Sequence, residues 1–115
     1  MIDREKLRQR FLRDALPVRL GNLSATLGRI SSNARESKDQ SIVGNLLDEA
    51  KHLIEWTAAD ADITTAAELV EMQRLIALWQ RAWDSSAINR SQRILLAAQA
   101  KSWSDKALDL SGLAG

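Results

Sequence analysis

The 115-residue sequence has no cysteine and no tyrosine, and only one proline, one histidine and one phenylalanine. Without cysteine there is no disulfide, no thiolate metal site and no cysteine nucleophile. No apolar run approaches the ~20 residues that span a bilayer, and the opening Met1-Ile2-Asp3-Arg4-Glu5-Lys6 lacks an apolar signal core. The expectation is a soluble, cytoplasmic protein. Net charge is only +1, which argues against a surface given over to nucleic acid. No GxxxxGK[ST] or GxGxxG phosphate loop occurs, and Gly21 and Gly28 fall inside a helical pattern rather than after a strand.

What is abundant is Ala, Leu, Arg, Glu and Gln, all good helix formers. No alternating strand pattern of useful length and no internal repeat interrupts them. The sequence therefore predicts an all-α fold, a single domain over residues 1–115, with helices near 3–15, 17–31, 39–57, 65–84 and 89–111. Short connections favour antiparallel neighbours, so the expected architecture is an up-down-up-down four-helix bundle. The first helix becomes an N-terminal extension jointed or kinked at Pro17, which lacks an N–H and suits the first turn of a new helix.

Periodicity supplies the cores of these helices. Leu16, Leu20, Leu23, Leu27 and Ile30 recur at spacings of 4, 3, 4 and 3, the seam of bundles and coiled coils. Gly21, Ala25 and Gly28 run beside it, suggesting close approach of a neighbouring helix. Ile42, Val43, Leu46, Leu47, Ala50, Leu53, Ile54 and Thr57 make one face of the third helix. Leu96, Ala100, Trp103, Ala107 and Leu110 repeat the 4-3-4-3 seam in the last, for which Asn89 is the expected cap and Gly112 the expected stop. Residues 31–38 read as a loop. Ser37 with Gln40 and Thr65 with Glu68 have capping-box spacing.

Thr65–Trp83 stands out. Leu69, Met72, Leu75, Ile76, Leu78, Trp79, Ala82 and Trp83 cover about half its circumference, wider than the ~100° stripe of an ordinary surface helix. Such a helix needs at least two neighbours and is expected at the centre of the bundle. A second apolar set has no assigned place: Leu7, Phe11 and Val18 near the start, and Ile94, Leu95 and Leu108 off the last seam. Two such groups in a small chain suggest a homodimer interface.

Charge is uneven along the chain. Residues 1–20 carry six basic groups against three acidic, whereas residues 48–71 carry seven acidic groups against Lys51. That polarity reads as a solvated charged face, as steering of a partner, or as head-to-tail pairing of copies.

Chemistry is sparse. Glu49-Ala50-Lys51-His52 has the Glu-x-x-His spacing of di-iron bundles, but those sites need two such motifs and two further glutamates. His52 is expected to face solvent. Serines and threonines fall at caps and loops, where local hydrogen bonds occupy them. The sequence calls for no catalytic residue, no metal and no cofactor, and a non-enzymatic interaction or assembly module is the expected class. The N-terminal segment, with Leu7, Phe11, Arg13 and Val18, is the candidate partner surface. Trp79, Trp83 and Trp103 are the candidate lining of a cavity for a flat hydrophobic ligand. Arg4, Arg8 and Arg13 offer a basic amphipathic face to phosphate or anionic lipid, although Asp3, Glu5 and Asp14 dilute it, so nucleic acid and membrane are disfavoured partners.

Three stretches, Asp14-Ala15-Leu16-Pro17-Val18-Arg19-Leu20-Gly21-Asn22-Leu23, Ile54-Glu55-Trp56-Thr57-Ala58 and Ala66-Ala67-Glu68-Leu69-Val70-Glu71, resemble a group of small, uncharacterised helical proteins of cyanobacteria. The resemblance would extend over most of the chain. It implies a cytoplasmic bacterial setting and carries over no activity, cofactor or binding residue.

Overall fold

A computed structural model describes residues 3–36, 40–87 and 89–113. Among the described residues all regular structure is helical: α1 (Arg4–Leu12), α2 (Leu16–Arg35), α3 (Gln40–Ala58), α4 (Ile63–Ser86) and α5 (Arg90–Ser111).

The ends of these helices follow local chemistry. The Asp3 carboxylate accepts from the Lys6 N–H at 3.2 Å and caps α1. The chain breaks between α1 and α2, with Ala15 extended (φ −63°, ψ 155°) and Pro17 in the first turn of α2. A proline N there is one of the positions that lacks a helical partner in any case. Asn89 accepts from the Ser91 and Gln92 N–H groups to start α5, and Gly112 closes it with φ +72°, a left-handed conformation that glycine adopts without a Cβ penalty.

Three boundaries differ most from the sequence expectation. The first helix ends at Leu12 rather than at residue 15, because the chain turns at Arg13 and Asp14 to reach the extended Ala15 before Pro17. The α2 helix does not yield to a loop at Ser31 but runs on to Arg35. Ser31 is buried and its hydroxyl donates to the Ala97 carbonyl at 2.7 Å, while Ala34 is fully buried. A serine paired in this way costs a helix little, and Ala34 adds apolar burial. The expected Ser37 cap lies outside the described residues. At the start of α4, Asp62 rather than Thr65 is the cap, accepting from the Thr65 N–H at 3.2 Å.

The core is assembled around α2, not α4. The α2 helix packs most extensively on α5 and then on α3; α3 carries α4, and α4 touches α5 at only a few points. Leu20, Leu23, Leu27 and Ile30 of α2 are buried, as are Val43, Leu47, Leu53 and Ile54 of α3 and Leu96, Ala100, Trp103 and Ala107 of α5. On α4, Leu69, Met72, Ile76 and Trp83 are buried, but Leu78 is half exposed. The wide apolar arc of α4 thus has a neighbour on one side and is incompletely covered on the other. The α1 helix lies on α3.

Serines, more than glycines, mark the α2–α5 contact. The Ser24 hydroxyl donates to the Ser104 carbonyl and the Ser104 hydroxyl to the Ser24 carbonyl, both at 2.8 Å. A Cβ on Gly28 would sit 3.6 Å from the Ser104 Oγ, an ordinary contact, and one on Gly21 would sit 3.2 Å from the Leu113 Cδ1. The neighbour expected beside these glycines is α5, yet the space does not demand glycine at position 28.

Candidate functional site

The incompletely covered side of α4 forms a cleft with α5. Two polar contacts bridge it. Near the N-terminal end of α4, Lys106 Nζ meets Glu68 Oε1 at 3.2 Å; further along, Trp79 Nε1 donates to Gln99 Oε1 at 2.6 Å. Between and around them a cleft of about 520 Å³ is lined by Ala67, Glu68, Glu71, Met72, Leu75, Ser102, Trp103 and Lys106. A smaller one of about 260 Å³ continues the seam past Leu75, Leu78, Trp79, Ala82 and Gln92. Leu78, which lines it, is 50% exposed, and Leu95, one turn from Gln92 on α5, is 54% exposed. On the helical wheel, Gln92, Leu95, Gln99, Ser102 and Lys106 share the side of α5 that meets α4.

An apolar floor edged by charge can anchor a partner's side chain. It has no nucleophile–base pair and no cluster of acids with shifted protonation. Glu71 is held below the usual carboxylate range by the hydrogen bond from Arg74, at 2.6 Å. That ion pair is exposed and belongs to the surface of α4.

The structure does not gather Trp79, Trp83 and Trp103 around one cavity. Trp103 lines the larger cleft and Trp79 the smaller. Trp83 is buried on the other side, where its Nε1 donates to the Gln40 carbonyl at 2.8 Å and its ring lies against Gly44. The candidate N-terminal surface divides in the same way. Phe11 is 5% exposed, in ring contact with Trp56 at a centroid distance of 6.0 Å, and so belongs to the core rather than to a surface. Leu7 is half-buried and lines a second cleft of about 530 Å³ with Arg4, Ile42, Asn45, Leu46, Asp48 and Glu49. Arg13 and Val18 are exposed.

The charge polarity of the sequence is largely satisfied within the chain. Arg4 pairs with Asp48 at 2.9 Å and Arg19 with Asp60 at 2.7 Å, joining the basic N-terminal stretch to the acidic one. Arg8 reaches Glu5 at 3.5 Å. Burial alone would raise the Asp48 carboxyl, but hydrogen bonds from Gln80 and Arg4, together with the Arg4 charge, hold it below its ordinary value.

His52 is half-buried rather than turned to solvent. Its Nδ1 lies 2.8 Å from the Asp48 carbonyl and also meets the Arg4 guanidinium, and its ring centroid is 5.9 Å from that of Trp56. Glu49 instead faces Arg29, at 4.0 Å. Among the described residues no group of three or more His, Asp or Glu side chains is placed to hold a metal, and no helix is long and apolar enough to cross a membrane.

Comparison with protein-family models, with curated proteins and with solved structures finds no match to this chain. The α4–α5 side is a candidate on geometry alone. Two features noted in the sequence fall there: the wide apolar arc of α4, which read as the mark of a central helix, and Leu95, one of the apolar residues left without a place. Gln99 and Lys106, which bridge the cleft, carried no sequence signal, because nothing local marks a polar residue that reaches across to another helix.

Proposed function

We propose that this chain is a non-enzymatic interaction module, an up-down-up-down four-helix bundle of α2 to α5 that receives its partner on the α4–α5 side. The topology is supported by the order of the cross-helix contacts. Ser24 meets Ser104 while Ser31 meets Ala97; Lys51 meets Gln73 while Gly44 meets Trp83; Glu68 meets Lys106 while Trp79 meets Gln99. In each pair, position rises on one helix as it falls on the other. A cytoplasmic bacterial setting is the part of this reading that rests on the sequence resemblance.

One observation carries the assignment. Leu78 and Leu95 stand half exposed beside an apolar cleft where α4 meets α5 at only a few points. Clustered, well-floored apolar positions of this kind are where interfaces concentrate their binding energy. The wide-mouthed cleft over Met72, Leu75 and Trp103 suits an inserted side chain better than an enclosed small ligand.

If the face serves a partner, the isolated fold does not need it. At a protein concentration low enough to keep the parent monomeric, replacing Leu78 and Leu95 with glutamine should leave thermal unfolding within about 4 °C of the parent, the scale of roughly 1 kcal/mol in a domain of this size. In dilute solution the same change should abolish the fluorescence enhancement of an anilinonaphthalene dye. Loss of several kcal/mol of stability, or a dye signal that survives the substitutions, would overturn the assignment.

A further inference from the structure

We propose that the occupant of the α4–α5 face is a second copy of the same chain, laid antiparallel across α4 about a two-fold axis that crosses its exposed face between Arg74 and Leu78. The inference rests on the reading of that face as a docking surface and adds the identity and register of what docks.

Charge along α4 is the first argument. Glu71 lies in the N-terminal half of its outward side, and Arg74 and Arg81 follow towards the C-terminus; all three are exposed. A parallel copy would set each charge against its like. An antiparallel copy sets acid against base, and a two-fold axis makes the match twice.

Register is the second. The antiparallel alignment that puts Arg81 opposite Glu71 of the second copy also puts Leu78 opposite Arg74, at the mouth of the second copy's cleft, between its Glu71 and Leu75. Ala82 then faces Val70, and Ala67 faces Ser85. One alignment therefore pairs opposite charges, seats the exposed leucine over an apolar floor, and places small residues where two helices approach to roughly 8–10 Å. Glu71, already bonded to Arg74 of its own helix at 2.6 Å, would gain a second guanidinium.

Area is the third. A helix of 24 residues is about 36 Å long. With α5 beside it the face is about 20 Å across, or roughly 700 Å² per copy, close to the ~800 Å² each partner contributes to a standard stable interface. The face mixes signs, Glu68 and Glu71 beside Arg74, Arg81 and Lys106, so it presents no continuous basic surface to nucleic acid or an anionic membrane, and a self-complementary charge pattern specifies a copy of itself.

The test is sedimentation equilibrium on the full chain over a wide concentration range. The parent should be a dimer. Leu78→Asp should raise the dissociation constant by roughly 100-fold or more, with the helical circular dichroism retained. Glu71→Arg and Arg81→Glu should each raise it by about 10-fold, and the two together should restore it to within about 3-fold of the parent. A dimer indifferent to Leu78→Asp, or a charge-swapped double variant that fails to recover, overturns the register. A monomeric parent whose dye enhancement depends on Leu78 and Leu95 overturns the second copy while keeping the docking face. A monomeric parent without that enhancement overturns both.

Discussion

Replacing Gly28 with alanine should make the protein more stable. The residue lies mid-helix in α2, in the most extensive helix pair of the molecule, where the sequence alone assigns glycine to close approach of a neighbour, an assignment under which a side chain would be expected to cost stability. The structure gives the opposite sign. A Cβ at position 28 would lie 3.6 Å from the Ser104 Oγ, an ordinary van der Waals distance, so no neighbour has to move. What remains is the backbone term: glycine in a helix interior is less favourable than alanine by about 1 kcal/mol, largely because the unfolded chain loses more freedom there. Gly28→Ala should therefore raise the urea midpoint by roughly 0.5 M at unchanged slope, and the melting temperature by about 4 °C. Gly21→Ala should gain less, since its Cβ would sit 3.2 Å from the Leu113 Cδ1 and that exposed side chain must swing aside. The assay is equilibrium unfolding by far-ultraviolet circular dichroism on parent and variants at one concentration. A fall in the Gly28→Ala midpoint would show that α2 and α5 approach more closely than the serine pair implies, and would refute the argument.

Two further predictions concern the other helices. Phe11→Ala should cost about 2–3 kcal/mol of burial, at the low end of or below the ~3–5 kcal/mol typical of a central phenylalanine, because α1 can peel from α3 without opening the bundle. Amide exchange should then accelerate in α1 while α2 keeps its protection, and dimerisation should be unchanged; equal loss of protection in α2 would make α1 integral to the core. Acid should weaken the fold through Asp62 and Asp48. The Asp62 carboxyl is held low first by its hydrogen bonds with Thr65 at the start of α4, and Asp48 is held low, against the opposing effect of burial, by Gln80 and Arg4. Folded values below the unfolded one mean stabilisation that is complete above the unfolded value of about 3.9 and is lost as pH falls through the folded values. Stability measured between neutral pH and about pH 2 should show that loss, and substituting both residues with asparagine should flatten it; an unchanged profile in the double variant would sink the assignment.

The seams were legible because a 4-3 spacing reports burial directly. Leu20, Leu23, Leu27 and Ile30, and again Leu96, Ala100, Trp103 and Ala107, are all buried. What sequence could not supply was which neighbour each face meets. The broad apolar arc of α4 suggested a central helix, but width counts apolar positions and not the elements that cover them, and α4 lies at the edge with Leu78 uncovered. Phe11 read as surface because it is the lone aromatic of a short basic helix, and its partner, Trp56, is 45 positions further along. Ser31 read as a loop because the carbonyl that accepts its hydroxyl belongs to Ala97. Long-range pairing also hid the use of the N-terminal charges, since Asp48 and Asp60 lie 44 and 41 residues from the arginines they meet.

The bond between Ser24 and Ser104 joins positions 80 residues apart, and it sits in the most extensive packing of the fold. A ribosome adding ~5–20 residues per second takes roughly 4 to 16 s to cover that distance. For that interval the nascent α2 carries Leu20, Leu23, Leu27 and Ile30 with only α3 and then α4 to shelter them. Closure waits for α5 to emerge, and chains truncated before α5 would leave those four side chains without their most extensive partner and so be the natural clients of chaperones.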